Sequence, residues 1–390
     1  MRLSPLHYLS HHWLSLTGVI LVTAATVFWL FLLPASLAGE AHPYLGILSH
    51  LILPALFFLG LGLIPIGIRL ARRRPDPPRA DWGRLLRLVG LATAANMVLA
   101  SQFTFRAVSY MDSNGFCGLA CHSVMKPEYT SHARGAHSKV ECVRCHIGPG
   151  AEHFFKAKLS GVRQLASLAK GSYHRPIPAP PANLRAANEI CQTCHSGTLS
   201  GERIKVLDRF ESNEANTRSR HVLLMKVARI HEVHGKMGTS CLECHNRPSH
   251  TFDTAANAMD RALAGGTIPV RLKSAKARGV ELLTASYPTQ DAGAAAVRDA
   301  WLRHYPGEAG SADAVVSIYR GNIFPEMKIG WGTYPNHLGH TASPGCFRCH
   351  DGQKSVNGRT VSQDCNACHQ LLAMDEVEPK ILSDLGLAGN

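Results

Sequence analysis

The chain is poor in charged residues, and the shortage is concentrated in its N-terminal part. Only 18% of the 390 residues are charged, and residues 13–37 contain no Asp, Glu, Lys, Arg or His. Residues 44–68 contain no charged residue and one histidine, His50. About 20 consecutive apolar residues are enough to cross a bilayer. The shortage therefore argues against an ordinary soluble enzyme and indicates that part of the chain lies in lipid.

Three segments are predicted to be transmembrane helices, at about 13–37, 44–68 and 86–108. The first is longer than the apolar core of a signal peptide, so we expect it to remain on the protein. The third is less apolar, because it contains Asn96 and Gln102. A helix lying on the membrane surface is the alternative for this segment.

The distribution of basic residues predicts the orientation. Seven arginines lie between residues 69 and 87, whereas residues 38–43 contain no Lys or Arg. Short loops rich in Lys and Arg stay in the cytoplasm. Three spans then predict a protein of the inner membrane with a cytoplasmic N-terminus, and with everything after about residue 108 on the periplasmic side.

Cysteine is absent from the first 116 residues, and the rest of the chain holds all 12 cysteines and 17 of the 22 histidines. Ten of these cysteines form five C-x-x-C-H motifs. Two thiols at this spacing reach the two vinyl groups of a haem, and the following imidazole ligates the iron. Disulfides or zinc would not explain a histidine after each pair. The predicted attachment motifs are Cys142-Val-Arg-Cys145-His146, Cys191-Gln-Thr-Cys194-His195, Cys241-Leu-Glu-Cys244-His245, Cys346-Phe-Arg-Cys349-His350 and Cys365-Asn-Ala-Cys368-His369.

A sixth cysteine pair departs from this spacing. Cys117 and Cys121 are separated by three residues, and both His122 and Met125 follow them closely. Either side chain can be the iron ligand of a sixth haem. A Met ligand would raise the reduction potential of that haem, and an open sixth position would admit a small molecule.

The net charge of +13 does not predict nucleic-acid binding. The one dense basic run, Arg72–Arg74, lies beside the apolar segments, and other Lys and Arg residues lack the interleaved aromatics of a nucleic-acid surface. Six haems bring about twelve propionate carboxylates. The scattered cations are therefore expected to pair with propionates, and no nucleic-acid partner is expected.

Distal iron ligands are expected among the eleven histidines after residue 116 that follow no cysteine pair. Five bis-histidine haems need five of them, and closeness to a motif favours some over others. The alternative for each is an exposed or hydrogen-bonding histidine. The predicted distal ligands are His137, His231, His234, His250 and His340.

Residues 116–252 resemble the NapC/NirT/NrfH family of membrane-anchored multihaem quinol dehydrogenases. The resemblance rests on the stretch from Phe116 to Pro127, on His137 before the second motif, and on the fourth motif with His231 ahead of it and His250 five residues after its own histidine. It implies quinol oxidation at the membrane face beside the first haem, followed by electron flow to a periplasmic acceptor.

The resemblance also implies a lysine near the quinol site. Lys156 and Lys158 fall at the corresponding place, and pairing with propionates on an amphipathic helix is the alternative. Three features depart from the family, which has one anchor and four haems. These are the additional spans and motifs, the long insert between Phe252 and Cys346, and the lengthened first motif.

The predicted fold is mainly α-helical, with transmembrane helices followed by a multihaem cytochrome domain that has little regular secondary structure. Helices are predicted at 151–170, 253–264, 271–285 and 288–304, from apolar periodicity bounded by Gly or Pro. The predicted divisions are transmembrane helices in 1–108, a tetrahaem region in 109–252, a helical cysteine-free insert with an extended arm in 253–345, a dihaem module in 346–374 and a tail in 375–390.

Three functions are compatible with these patterns. The first is electron transfer between membrane quinol and a periplasmic redox partner that accepts or donates electrons. The second is an electron-relay subunit without its own quinol site, packed against other membrane subunits. The third is a multihaem reductase of a small oxyanion, which is disfavoured because the sequence lacks the C-x-x-C-K motif of nitrite reductases.

Overall fold

A computed structural model divides the chain into two compact units, residues 1–112 and 113–390. The described residues are 8–9, 11–37, 52–73, 83, 87, 102, 105–106, 108–119, 122–148, 151–181, 184–196, 201–236, 238, 240–356 and 358–387.

Two apolar helices, α1 (Trp13–Leu37) and α2 (Leu53–Arg72), pack against each other in the first unit. A Cβ added to Gly18 would lie 2.7 Å from the carbonyl oxygen of Gly60, and a Cβ on Gly60 would lie 2.8 Å from the carbonyl oxygen of Gly18. Small residues at such crossings let helix backbones approach closely in membranes. The two glycines therefore permit the close contact of α1 with α2.

The helix bounds differ from the predicted spans. Within the described residues, α2 is the one helix long and apolar enough to cross a membrane, and the apolar stretch Trp13–Phe28 of α1 is shorter. Helix α2 continues four residues past the predicted end at 68, because Arg69 and Arg72 suit the negative end of the helix dipole. Most of the predicted third span lies outside the described residues, so the number of spans stays a prediction.

The second unit is mainly helical, which confirms the α-helical part of the predicted fold class. Its elements in chain order are α3 (Asn114–Leu119), α4 (His122–Ala133), α5 (Cys142–His146), α6 (Ala151–Ala169), α7 (Ala187–His195), β1 (Arg203–Phe210), β2 (Arg218–Met225), α8 (Val227–Lys236), α9 (Cys241–Cys244), α10 (Ala255–Ala264), α11 (Ala275–Thr284), α12 (Gln290–His304), α13 (Ala309–Asn322), β3 (Ser355–Val356), β4 (Arg359–Thr360), β5 (His369–Glu376) and α14 (Lys380–Asp384).

All four helices predicted in this unit are present, with ends that differ by at most a few residues. They are α6, α10, α11 and α12. Helices α4, α7, α8 and α13 and the sheet were not predicted from the sequence.

A three-stranded antiparallel sheet has the strand order β1-β2-β5. Strands β1 and β2 form a hairpin in which Arg203 pairs with Met225. Strand β5 begins at His369, directly after the last cysteine pair, and His369 also pairs with Met225. The sheet therefore brings the last motif beside the residues that lead into α8.

The insert has its own hydrophobic core, formed by α10 to α13. Trp301, Tyr319 and Val297 are among its fully buried side chains, and Trp301 Nε1 donates a 2.9 Å hydrogen bond to Ser311 Oγ. Helices α10 and α12 begin after Thr254 and Thr289, whose side chains accept backbone N–H bonds as N-caps.

A buried carboxylate joins the insert to the sheet. Asp260 of α10 accepts a 3.1 Å hydrogen bond from the backbone N–H of Phe210 and lies 2.7 Å from Lys276 Nζ. Its side chain is only 4% exposed. The charge is thus compensated by both a cation and a backbone donor, as a buried carboxylate requires.

Candidate haem sites

The motif cysteines lie on short helical turns. The second, third and fourth motifs occupy α5, the end of α7, and α9, and the last two lie at 3-10 turns that begin at Gly345 and Cys365. Residues three apart share one face of such a turn. The two thiols of each motif are therefore presented on the same side.

The six motifs form one series, in which a cysteine of each motif lies near a cysteine of the next motif. The Cys142 thiol of the second motif hydrogen-bonds the Cys117 thiol of the first, and each later motif has an electrostatic neighbour in the one before it. The neighbouring pairs are Cys117 with Cys142, Cys145 with Cys194, Cys191 with Cys241, Cys244 with Cys346, and Cys346 with Cys368. The spatial order of the motifs is therefore their order in the sequence.

These contacts also shift the pKa values of the thiols. The hydrogen bond to Cys117, followed by burial, raises the pKa of Cys142 far above its ordinary value. Burial raises the pKa of the other affected thiols, and in each case a cysteine of a neighbouring motif is the second cause. These thiols are Cys145, Cys191, Cys244 and Cys368.

Each of the five C-x-x-C-H histidines has a second histidine ring close by. Imidazole nitrogens bind a metal at about 2 Å, so two rings on opposite sides of one iron have centres roughly 6 Å apart. The structure brings all five expected distal histidines to this separation. The ring-centre distances are 6.1 Å for His146 and His250, 5.9 Å for His195 and His137, 6.5 Å for His245 and His231, 5.9 Å for His350 and His234, and 6.1 Å for His369 and His340.

Helix α8 presents two of these rings, His231 and His234, one turn apart on one face. His231 Nδ1 lies 2.9 Å from the carbonyl oxygen of Val227, and His234 Nδ1 lies 2.7 Å from that of Ile230. A carbonyl only accepts hydrogen bonds, so each Nδ1 is the donor and each Nε2 is the nitrogen left to face a metal. Such bonds orient metal-binding histidines.

Three further rings are oriented in the same way by backbone carbonyls. His137 Nδ1 donates to the carbonyl oxygen of Pro248 at 3.2 Å, and His350 Nδ1 donates to that of Ser362 at 2.6 Å. His250 Nδ1 donates at 3.0 Å to the carbonyl oxygen of Glu128 in α4. These bonds leave Nε2 of each ring available to an iron.

A cavity of about 540 Å³ is lined by both His234 and His350. Its wall combines apolar side chains with the cations Arg229, Lys236 and Arg359. A haem needs an apolar enclosure for its porphyrin and cations for its two propionates. The cavity and the paired imidazoles therefore fit a haem, and the cysteine in the lining is Cys368 of the last motif.

The histidine pairs are partly buried, and burial affects their protonation. It lowers the pKa of His146, His245, His250 and His369. A ligating imidazole must be neutral, and metal binding competes with protons. Burial therefore keeps these rings in the form that binds iron at neutral pH.

A charged pair supports His250. Arg247 Nη2 lies 2.7 Å from Glu128 Oε2, and Arg247 Nε donates a 2.9 Å hydrogen bond to the carbonyl oxygen of His250. The Arg247 guanidinium also lies 3.9 Å from the centre of the Tyr334 ring. Both charged side chains are largely buried, at 10% and 14% exposure. This cluster holds the backbone and the ring of His250 in one orientation.

The sequence analysis did not single out Glu128, Arg247 or Tyr334, because nothing in the local pattern relates residues so far apart along the chain. Nor did it favour His132, which is buried with its ring 6.0 Å from that of His250. Its only signal is that it belongs to the surplus histidines.

The first motif is described in part. Cys117 is described and contacts Cys142, but Cys121 and the side chain of His122 lie outside the described residues. Met125 lies half-buried on α4. The choice of axial ligand for this site stays a prediction.

Lys156, the first of the two predicted quinol-site lysines, is exposed on α6. The side chain of Lys158 lies outside the described residues.

Within the described residues, no group of three or more His, Cys, Asp or Glu side chains is placed to hold a metal ion.

Serial cysteine pairs with paired histidines define the class of multihaem c-type cytochromes, and comparison with known proteins agrees. The chain is 32% identical to the cytochrome c-type protein ImcH of Geobacter sulfurreducens over 444 residues, covering 92% of this chain and 87% of the relative. It is 24% identical to the cytochrome c-type protein NrfH of Wolinella succinogenes over 169 residues, covering 42% of this chain and 83% of that relative. No family model and no solved structure matches the chain.

The chain therefore belongs to the NapC/NirT/NrfH family of membrane-anchored multihaem c-type cytochromes. This confirms the resemblance found in the sequence. It also agrees with covalently bound haem as the cofactor and electron transfer as the general activity.

Proposed function

We propose that the chain holds six c-type haems in one series and transfers electrons from membrane quinol to a redox partner on the periplasmic side. The haems supply reversible one-electron chemistry when bound. The chain contributes their order, their ligands and their surroundings. The observation that carries the proposal is the second histidine ring at 5.9–6.5 Å from every C-x-x-C-H histidine.

The ligand pairs follow from these distances. We assign one proximal and one distal histidine to each of the last five motifs. The assigned pairs are His146 with His250, His195 with His137, His245 with His231, His350 with His234, and His369 with His340. The first haem is assigned to Cys117 and Cys121, with His122 or Met125 as its axial ligand.

The assignment crosses the domain divisions proposed from the sequence. Helix α8 belongs to the proposed tetrahaem region 109–252, yet its His234 serves the fifth motif in the proposed dihaem module 346–374. The second strand β2 of the same region also pairs with β5. We infer that the two haem regions form one continuous relay.

Electrons enter the proposed relay at the membrane end. Quinol oxidation beside the first motif is inferred from the family, with Lys156 and Lys158 near the quinol. The proposed topology has a cytoplasmic N-terminus in the inner membrane and a periplasmic haem region. Other membrane subunits are the proposed partners of the transmembrane helices, because polar and small residues allow close packing there.

The last motif lies at the other end of the relay. His340 stacks on Phe347 with ring centres 4.7 Å apart, and the Phe347 side chain is 49% exposed. This exposed aromatic gives the distal ligand of the last haem a contact at the protein surface. A periplasmic redox protein docking here would complete the transfer.

Reduction by quinol tests the proposal directly. The oxidised full chain in lipid nanodiscs is mixed with a menaquinol analogue, and haem absorbance is followed with and without a quinone-site inhibitor. We expect inhibitor-sensitive reduction of several haems and a content of six haems per chain. Lys156→Gln and Lys158→Gln are expected to slow this reduction, whereas Lys139→Gln, an exposed lysine on another element, is the matched control.

Reduction by dithionite distinguishes a chain with its own quinol site from a relay subunit without one. Haems that dithionite reduces and quinol does not would overturn the quinol site on this chain. That result would favour the second function, an electron-relay subunit whose electrons arrive from another membrane protein.

A further inference from the structure

Helix α6 carries an apolar stripe that nothing covers within the described residues. Leu159, Val162 and Leu165 are 62%, 65% and 60% exposed. They are the most exposed large hydrophobic side chains described in residues 113–390. Spacing of three residues places them on one face of the helix. The exposed fractions are close to those of Ile20 and Phe58 in the apolar helices α1 and α2, at 65% and 68%.

The side of α6 opposite the apolar stripe is polar. Ser160, Gln164 and Ser167 lie on the side opposite Val162 at 100° per residue. The helix and the residue that follows it contain Lys156, Lys158, Arg163 and Lys170 against one acidic residue, Glu152. The segment is thus an amphipathic helix with a net positive charge.

We propose that α6 lies in the plane of the membrane, with its apolar stripe in the boundary between headgroups and acyl chains of an anionic bilayer. An amphipathic helix with an apolar face and a basic polar face binds lipid surfaces in this way. Anionic headgroups attract Lys and Arg at the surface, and long basic side chains extend toward them. A soluble partner would need an apolar face that is also acidic, whereas an anionic bilayer supplies both features.

The proposal rests on the membrane location in the proposed function and deepens it. A helix in the interface holds the residues around Lys156 at the depth where a quinol headgroup reaches the bilayer surface. The quinol would then need no passage through water to reach the haem region. The helix acts in this way whether or not Lys156 itself contacts the quinol.

Photo-crosslinking locates the apolar stripe. The haem-loaded full chain, with p-benzoylphenylalanine in place of Val162, is irradiated in nanodiscs containing phosphatidylglycerol. The matched control places the same residue at Gln164, on the opposite face of the helix. We expect a lipid adduct from position 162 and none from position 164. Adducts to a haem peptide, to a second copy of the chain or to α1 or α2 would overturn the proposal, as would equal lipid labelling from both positions.

Charge substitution tests the consequence for function. Val162→Glu with Leu165→Glu places two carboxylates in the apolar stripe and is expected to slow reduction by the quinol analogue in nanodiscs. Gln164→Glu adds a carboxylate to the polar face and is expected to leave the rate unchanged. Haem content and dithionite reduction show whether each variant is correctly folded. An unchanged quinol rate in a folded double variant would overturn the link between α6 and quinol.

Photo-crosslinking and quinol reduction also distinguish the proposal of a membrane-surface helix from the proposal of a quinol site. Crosslinking to lipid needs no electron transfer, so a lipid adduct without quinol oxidation supports the surface helix and contradicts the quinol site. Quinol oxidation without a lipid adduct gives the reverse conclusion.

Discussion

His250 and Glu128 are joined twice. The ring Nδ1 of His250 donates a hydrogen bond to the backbone carbonyl oxygen of Glu128 at 3.0 Å and lies 3.3 Å from the Glu128 carboxylate. Histidines that bind metals are commonly oriented by a carbonyl or a carboxylate at the other ring nitrogen, and that partner raises ligand basicity. Here both partners come from one residue.

Glu128→Gln is expected to raise the reduction potential of the haem assigned to His146 and His250. The substitution removes a negative charge close to the iron and leaves Arg247 unpaired, and both changes favour the reduced form. Redox titration followed by haem absorbance checks the prediction. Glu281→Gln, at an exposed ion pair of the insert, is the control. Identical potentials in the two variants would contradict the role of Glu128.

His231→Ala and His234→Ala are each expected to cost one haem its low-spin, six-coordinate state. The affected haem differs between the two variants. The ring planes of His231 and His245 are 11° apart, whereas those of His234 and His350 are 66° apart. The relative orientation of axial imidazoles changes the electron paramagnetic resonance anisotropy of ferric haem. His231→Ala should therefore remove a rhombic signal, and His234→Ala a strongly anisotropic one.

His221→Ala is the matched control for these two substitutions. His221 Nε2 lies 2.8 Å from Asp375 Oδ1, and its ring forms none of the proximal–distal pairs. All low-spin signals should persist in this variant. Loss of a signal in His221→Ala, or loss of the same signal in both α8 variants, would refute the ligand assignment.

Gly18→Ala is expected to loosen the packing of α1 on α2. The new Cβ would lie 2.7 Å from the carbonyl oxygen of Gly60, and backbone cannot move aside as a side chain can. Overpacking of this kind costs about 1–3 kcal/mol. A lower melting temperature in detergent is the expected result. Gly62→Ala should leave it unchanged, because nothing lies within 4 Å of its Cβ.

Asp260→Ala is expected to destabilise the contact of the insert with the sheet. It leaves Lys276, whose side chain is 12% exposed, without its buried partner. Removing one member of a buried ion pair costs about 3–5 kcal/mol. Urea unfolding followed by circular dichroism measures the loss. The exposed pair of Arg278 and Glu281 gives the comparison, because removing such a pair costs less than about 1 kcal/mol.

Local patterns predicted four helices of the second unit, missed others such as α8 and α13, and predicted no part of the sheet. Helix α6 was predicted from apolar periodicity bounded by glycine and is present almost to the residue. Strand β5 begins at the histidine of the last haem motif, and its partner β2 lies more than 140 residues earlier in the sequence. Pairing of distant strands depends on the three-dimensional arrangement, which periodicity does not encode.

The sequence alone determined the attachment chemistry of this protein. Two thiols and an imidazole within five residues need only one helical turn to act together, so the motif is complete without tertiary structure. The apolar runs likewise indicated a membrane protein, because the length of a span is a local property.

Only the tertiary structure decided which proposed distal histidine lies beside which motif. His250 follows the fourth motif but lies beside His146 of the second, and His340 precedes the fifth but lies beside His369 of the sixth. The order of the motifs in space and the support of His250 by Glu128 also appear only in the folded chain. The physical reason is that each such contact joins residues from separate elements, whose meeting is set by packing and not by spacing along the chain.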